Sequence, residues 1–221
     1  MFESKVYKQR IYANSEDYII RKSVLVDELW EYDLCLEMSI VLDKRGGDFL
    51  DIGANIGLST LGTRLLTRNK FTSHCIEMNS RIFESLRMNT KTHPNIRIYN
   101  FGVGLACGLE NMCYNEYNNG ATSIDYKSSD RKIFYSIKKL DCVRDYFKNI
   151  SVVMIDIEGY EYKALYGMSE FLKEQKPDIF IEIFPDKFND VNRILSSYDY
   201  ELKDKYPDFN YHFRHRSRAF E

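Results

Sequence analysis

FLDIGANIGLST, spanning Phe49 to Thr60, is the stretch on which the fold of this chain turns. Phe49, Leu50 and Ile52 surround a single carboxylate, Asp51, in a run too short for an amphipathic helix and typical of a buried parallel strand. The chain then turns on Gly53 and enters a helix near Gly57, because Leu58, Leu61 and Leu65 recur at helical spacing. A glycine-rich strand-to-helix turn lets a ligand approach bare backbone, with helix N–H groups facing its anionic part.

The order Asp51, Gly53, Asn55, Gly57 is neither the dinucleotide fingerprint nor the phosphate-cradling loop. An acid within the turn repels a pyrophosphate and suits a ligand that carries an ammonium. S-adenosylmethionine has that group, together with a carboxylate, a sulfonium and no phosphate. A second acid, Glu77, falls in the run HCIEMN (His74 to Asn79), placed to accept both hydroxyls of a ribose.

Working outward, the remaining chain repeats the pattern. Residues from Met1 to about Val26 alternate apolar and polar, which predicts one or two short strands or an extended arm. Val26, Trp30, Leu34, Met38 and Val41 mark one stripe of a helix from Asp27 to Gly46-Gly47. The first 47 residues read as a cover over the cofactor side of a core at 48–221, all in one domain. After the turn come a strand over Thr72–Glu77, a helix over Ser80–Thr92, and a third strand carrying Ile96, Ile98 and Phe101. That strand ends at Gly102-Val103-Gly104, whose backbone edge is placed to line an adenine. Residues from Ala106 to Ile137 carry no helical period, and NNGATSI (Asn118 to Ile124) reads as the tip of a hairpin near the methionine end of the cofactor. Further strands at Val152–Asp156 and Asp178–Phe184 alternate with helices marked by Ala164 to Leu172 and Phe188 to Tyr198. Tyr200–Tyr206 and Tyr211–His215 close the chain as an antiparallel hairpin. Alternating strands and helices are the signature of a doubly wound α/β sheet.

Bulk properties bound the function. At 221 residues with 44% hydrophobic and 29% charged residues, the chain belongs to the soluble globular class. A formal net charge of −2 gives no global pull toward nucleic acid or a membrane surface. The five cysteines include no C-x-x-C pair and read as reduced thiols. Without a long apolar span or a leader's apolar core, the expected location is the cytoplasm. Oligomeric state is not legible in the sequence.

Acids gather where the chemistry of an open parallel sheet sits, outside the carboxyl ends of its strands. They are Asp51, Glu77, Asp156 and Glu182, with Glu158 and Glu161 following in DIEGYE. Asp156 and Glu182 end the fourth and fifth strands, neighbours about 4.8 Å apart. Three readings stand side by side. The pair holds a hard cation such as Mg²⁺ or Mn²⁺ that lowers the pKa of a bound hydroxyl. Alternatively Asp156 or Glu158 acts alone as general base, or these acids are structural. Glu161 fits a capping role as well as a catalytic one, and His212 and His215 read by default as packed or exposed side chains. The basic cluster RHRSR (Arg214 to Arg218) reads as a solvated tail.

These pieces resemble the FkbM family of S-adenosylmethionine-dependent methyltransferases. The matching residues are FLDIGANIGLST, Glu77, Leu140-Asp141, MIDIEGYE (Met154 to Glu161) with Gly167, and Glu182 of IEIF, in the family's order. The resemblance implies a class I methyltransferase (Rossmann-like) fold, a mostly parallel seven-stranded sheet whose last hairpin supplies one antiparallel strand. It implies that Asp51, Gly53, Asn55, Gly57 and Glu77 hold the cofactor and that Asp156 faces the transferred methyl; Ala54, Met78, Gly102 and Val103 complete the expected cofactor site. It also implies O-methylation of a small acceptor, with a sugar hydroxyl of a glycan or glycoconjugate as the leading reading. The Asp156/Glu182 layout is similar to that of metal-dependent catechol-type O-methyltransferases. Methylation of an RNA ribose hydroxyl is the runner-up, disfavoured by the near-neutral charge. A non-catalytic cofactor-binding module is the third reading, against which the full set of strand-end acids speaks.

Overall fold

The computed structural model describes residues 1–13, 28–68, 70–113 and 132–218. Phe2–Ser4 and Gln9–Ile11 pair antiparallel as β1 and β2. Helix α1 spans Tyr32–Arg45 and starts later than the apolar stripe suggests, because Glu31 takes a left-handed conformation (φ 47°) that no preceding helical turn accommodates. Leu34, Met38 and Val41 of the expected stripe are buried; Val26 and Asp27 lie outside the described residues. The central elements follow as β3 (Asp48–Ile52), α2 (Leu58–Leu66), β4 (Ser73–Ile76), α3 (Ser80–Thr90) and β5 (Ile96–Tyr99). Next come the short β6 (Gly102–Val103), β7 (Gly108–Cys113) and β8 (Lys132–Lys138). The chain continues through α4 (Leu140–Val143), β9 (Ile150–Ile155), α5 (Glu161–Gly167), α6 (Ser169–Gln175) and β10 (Asp178–Glu182), then α7 (Phe188–Ser197), β11 (Tyr200–Lys205) and β12 (Asn210–His215).

The main sheet has the order β11-β12-β10-β9-β3-β4-β5, with β12 antiparallel to both neighbours and the rest parallel. This is the class I, Rossmann-like α/β architecture expected above, closed by its C-terminal hairpin. Side chains alternate across the pleat and divide the core into two layers. Leu50, Ile52, Val153, Ile155, Ile179 and Ile181 meet Ala164, Leu165, Phe171, Leu172 and Leu195 on one face. On the other, Phe49, Val152, Met154 and Phe180 meet Leu34, Met38, Val41 and Leu42 of α1. Strand order reverses between β3 and β9, which opens a crevice at their carboxyl ends.

Two local features depart from the sequence expectations, and a third agrees with them. Gly102-Val103 does not extend the third strand: β5 stops at Tyr99, and β6 pairs instead with β8 in a separate sheet completed by β7. The antiparallel β7–β8 pair is the expected hairpin excursion, and its tip, with Asn118–Ile124, lies outside the described residues. The helix marked by Ala164 to Leu172 is two helices, because the Asp141 carboxylate accepts the backbone N–H groups of Glu170 (3.2 Å) and Phe171 (2.9 Å) and so starts α6 afresh. That cap assigns a structural role to the Leu140-Asp141 pair.

At the amino edge of the sheet, buried Asp178 binds Arg45, Arg214 (2.8 Å) and His212 (2.7 Å). Although burial opposes it, these partners hold the carboxyl down at about 2. His212 is thus a packed residue at the end of β10 away from Glu182. The RHRSR cluster is not a tail: Arg214 belongs to β12, and Arg216 pairs with Glu201. Cys35 and Cys75 are free and buried, Cys107 and Cys142 free and exposed. No helix among the described residues is long and apolar enough to cross a membrane.

Candidate functional site

The turn after β3 and the turn after β9 are pressed together. Gly53 has φ 87°, and a Cβ there would lie 1.8 Å from the carbonyl oxygen of Asp156. Only glycine permits both the left-handed conformation and the contact. Asn55 and Glu158 also take left-handed conformations (φ 50° and 56°), so strained backbone gathers on both sides of the crevice. Asn89 fixes the first turn from behind: its amide donates to the carbonyls of Ile56 (2.8 Å) and Tyr12 (3.0 Å).

Between the turns lies a cleft of about 700 Å³. Gly53, Asn55, Glu77, Met78, Gly102, Val103, Asp156 and Glu158 of the expected site line it. Asp51, Ala54, Gly57 and Glu182 are not in its lining. Asp51 lies beneath the turn, 2% exposed, accepting the Thr60 hydroxyl at 2.5 Å. Gly57 caps α2, and Ala54 packs with Cys75 and Leu86. The lining also holds Asn79, Phe101, Ile137 and Tyr160, which sequence reasoning passed over. Asn79 and Tyr160 sit inside the motifs already noted, whereas Ile137 arrives only through the β6–β8 pairing.

The cleft is graded along its length. One end is an apolar slot of Met78, Phe101, Val103 and Ile137; a side chain on Gly102 would strike Ile137 at 2.6 Å and close it. Glu77 stands in the middle, its two oxygens accepting the N–H groups of Asn55 (3.0 Å) and Asn79 (2.7 Å). Burial pushes its carboxyl up to about 7 against the pull of those N–H groups. Two buried polar atoms beside it, Asn55 Oδ1 and Asn79 Nδ2, have no partner. The far end carries Asp156 and Glu158. Burial, then the Asp156 charge, pushes Glu158 up to about 8. Glu161 caps its own turn through the N–H groups of Ile157 (3.3 Å) and Gly159 (3.0 Å).

Burial raises both the Asp156 and the Glu182 carboxyl, and for Glu182 the Asp156 charge adds to it. Among the described residues no three His, Cys, Asp or Glu side chains group to hold an ion, so the two-carboxylate metal reading finds no support.

The profile of the methyltransferase FkbM domain matches residues 51–202. The chain is similar to the crystal structure of methyltransferase FkbM from Methylobacillus flagellatus KT, at 20% identity and TM-score 0.55 over 95% of this chain and 56% of that one. It is similar to precorrin-6y C5,15-methyltransferase from Geobacter metallireducens GS-15, at 12% identity and TM-score 0.51 over 82% and 84% of the two chains. An O-methyltransferase family protein from Burkholderia thailandensis aligns at 9% identity and TM-score 0.52, over 90% of this chain and 57% of that one. At these identities the likeness is one of fold, and the chain spans little more than half the length of the FkbM structure. No curated protein matches the sequence. With about two thirds of its residues under the family profile, this chain belongs to the FkbM methyltransferase family.

Proposed function

We propose that this protein is an S-adenosylmethionine-dependent O-methyltransferase acting on a hydroxyl of a small acceptor, a sugar of a glycan or glycoconjugate being the leading class. The observation that carries the proposal is the grading of the cleft, from apolar slot through Glu77 to unpaired acids. The slot formed by Met78, Phe101, Gly102, Val103 and Ile137 suits an adenine. Glu77, fixed by two backbone N–H groups, accepts ribose hydroxyls. The acidic end suits an ammonium and a sulfonium, so the residues present fit this cofactor. Bound there, S-adenosylmethionine supplies a methyl group already activated by its sulfonium.

Asp156 is the residue at which acceptor and cofactor meet in this reading. Its carboxylate accepts the acceptor's hydroxyl proton. Glu158, beside it, adds a negative charge once the cofactor's positive charge favours its ionised form. General-base help of this kind contributes roughly 10²–10⁴ in rate, and positioning of the two reactants contributes about 7–11 kcal/mol more. Asp51 acts indirectly, through its bond to Thr60 beneath the turn.

Incubation with methyl-labelled S-adenosylmethionine and a panel of methyl glycosides tests this. Label should appear in an alkali-stable methyl ether on a sugar. Label on nitrogen or carbon of an acceptor, or transfer to RNA but to no sugar, would replace the proposal.

A further inference from the structure

Tyr160 lines the cleft, is 7% exposed, and is held from outside the lining. Its hydroxyl donates to Glu110 Oε2 at 2.5 Å, across 50 residues of sequence. That distance is the short end of the range for a hydroxyl on a carboxylate, a bond roughly twice as strong as one between neutral groups. Burial, then the bond to Glu110, pushes the phenol above its ordinary value, so Tyr160 keeps the proton it donates. The Lys163 ammonium, 4.3 Å from the ring centre, holds the same ring.

The bond joins two parts of the fold that belong to different sheets. Tyr160 starts α5, directly after the turn that carries Asp156 and Glu158. Glu110 sits on β7, opposite Tyr135 of β8. On its other side β8 pairs with β6, Ile137 opposite Gly102 and Lys138 opposite Val103. The pairing runs on into Gly104, whose N–H donates to the Lys138 carbonyl at 3.0 Å. Gly104 is enclosed: a Cβ there would lie 2.7 Å from Ile137 and 3.0 Å from the Tyr160 ring, so these two cleft residues meet over it. Beneath it, a Cβ on Gly167 of α5 would lie 1.9 Å from the Gly104 carbonyl oxygen. The path therefore closes on itself, from Tyr160 through Glu110, β7, β8 and β6 to Gly104 and back to Tyr160. Gly102, Val103 and Ile137 on that path are the walls of the apolar slot.

We infer that Glu110 is a positioning residue that acts through Tyr160, fixing the walls of the apolar slot against the turn that carries Asp156, at the width an adenosine needs. The inference rests on the methyltransferase reading and goes beyond it, giving a strand outside the cleft a part in gripping the cofactor. Binding sites depend on such a supporting shell to hold their walls within about 0.5 Å. The nucleoside is the part of the ligand that senses the bond. The amino-acid part meets the acidic end, which is held separately by the packing of Gly53 on Asp156.

Calorimetry on the full chain with two probes tests this: S-adenosylhomocysteine, the demethylated cofactor, and 5′-methylthioadenosine, which keeps the adenosine and lacks the amino acid. Glu110→Ala and Tyr160→Phe should each weaken both probes by about tenfold, the worth of one hydrogen bond to a charged group. The double variant should lose no more than either single one, since both changes remove the same bond. Glu110→Gln, whose amide oxygen still accepts the phenol, should stay within about threefold of the parent. Should Glu110→Ala fail to fold, Tyr160→Phe, which loses one oxygen, and Glu110→Gln supply the comparison. Parental affinity in the Ala or Phe variant, losses that add in the double variant, a Gln variant as weak as Ala, or a loss confined to S-adenosylhomocysteine each overturns the inference and leaves the proposed activity in place. Failure of the parent to bind S-adenosylhomocysteine overturns both.

Discussion

The Asp156→Asn variant should lose about 10²–10⁴ in kcat, the range of a positioned general base, with its cofactor affinity changed by a few-fold at most. Asparagine keeps the size of the side chain and its place after β9, and it removes the carboxylate that accepts the hydroxyl proton. Labelled-methyl transfer and calorimetry on one preparation separate the two effects. A variant with parental kcat would remove Asp156 from the chemistry, and one that lost cofactor binding in equal measure would make it a binding residue instead.

Gly53→Ala should disable the protein by a different route. The new Cβ would lie 1.8 Å from the carbonyl of Asp156 at a backbone φ of 87°. Overpacking costs about 1–3 kcal/mol and the left-handed conformation about 1–2 more. For a chain of this size each kcal/mol lowers Tm by about 2–4 °C, so a fall of about 5–15 °C is expected. Relief requires the β3 and β9 turns to separate, which also moves Asn55 away from Glu77 and spoils cofactor binding. Gly108→Ala is the control: nothing lies within 4 Å of its Cβ, and it should stay within about 0.5 kcal/mol of the parent. Thermal unfolding and calorimetry read both. Parental Tm and binding in Gly53→Ala would refute the two-turn geometry.

The sheet was legible because short apolar runs capped by acids have few alternatives once helices intervene. Glu77, Asp156 and Glu158 could be assigned to one rim from strand ends alone. Asp51 shows the limit of that argument: the same strand-end pattern puts its carboxyl under the turn, bonded to Thr60, because α2 folds back over it. Gly102 and Val103 left the expected strand because their partner, β8, lies some 35 residues downstream. Nothing local announces such a pairing. The break between α5 and α6 depends on a cap delivered by Asp141, 28 residues before Ser169, and helical periodicity is blind to it. The bond from Tyr160 to Glu110 was illegible for the same reason, since Glu110 is an ordinary polar residue until the fold brings β7 against the turn after β9.

Titration of the purified chain with S-adenosylmethionine by calorimetry, in buffers of differing ionisation enthalpy near pH 6 and pH 8, tests the central claim most directly. Glu77 and Glu158 line the cleft with carboxyls raised to about 7 and about 8, chiefly by burial. Raised carboxyls hold protons in the free protein at the lower pH. Ribose hydroxyls donating to Glu77 and a positive charge facing Glu158 both favour the ionised forms, so binding should release protons and tighten as pH rises, by up to about tenfold per unit for each carboxyl that ionises. Saturable uptake of one cofactor per chain with proton release is the expected result. No heat of binding, or proton uptake with affinity falling as pH rises, would contradict it.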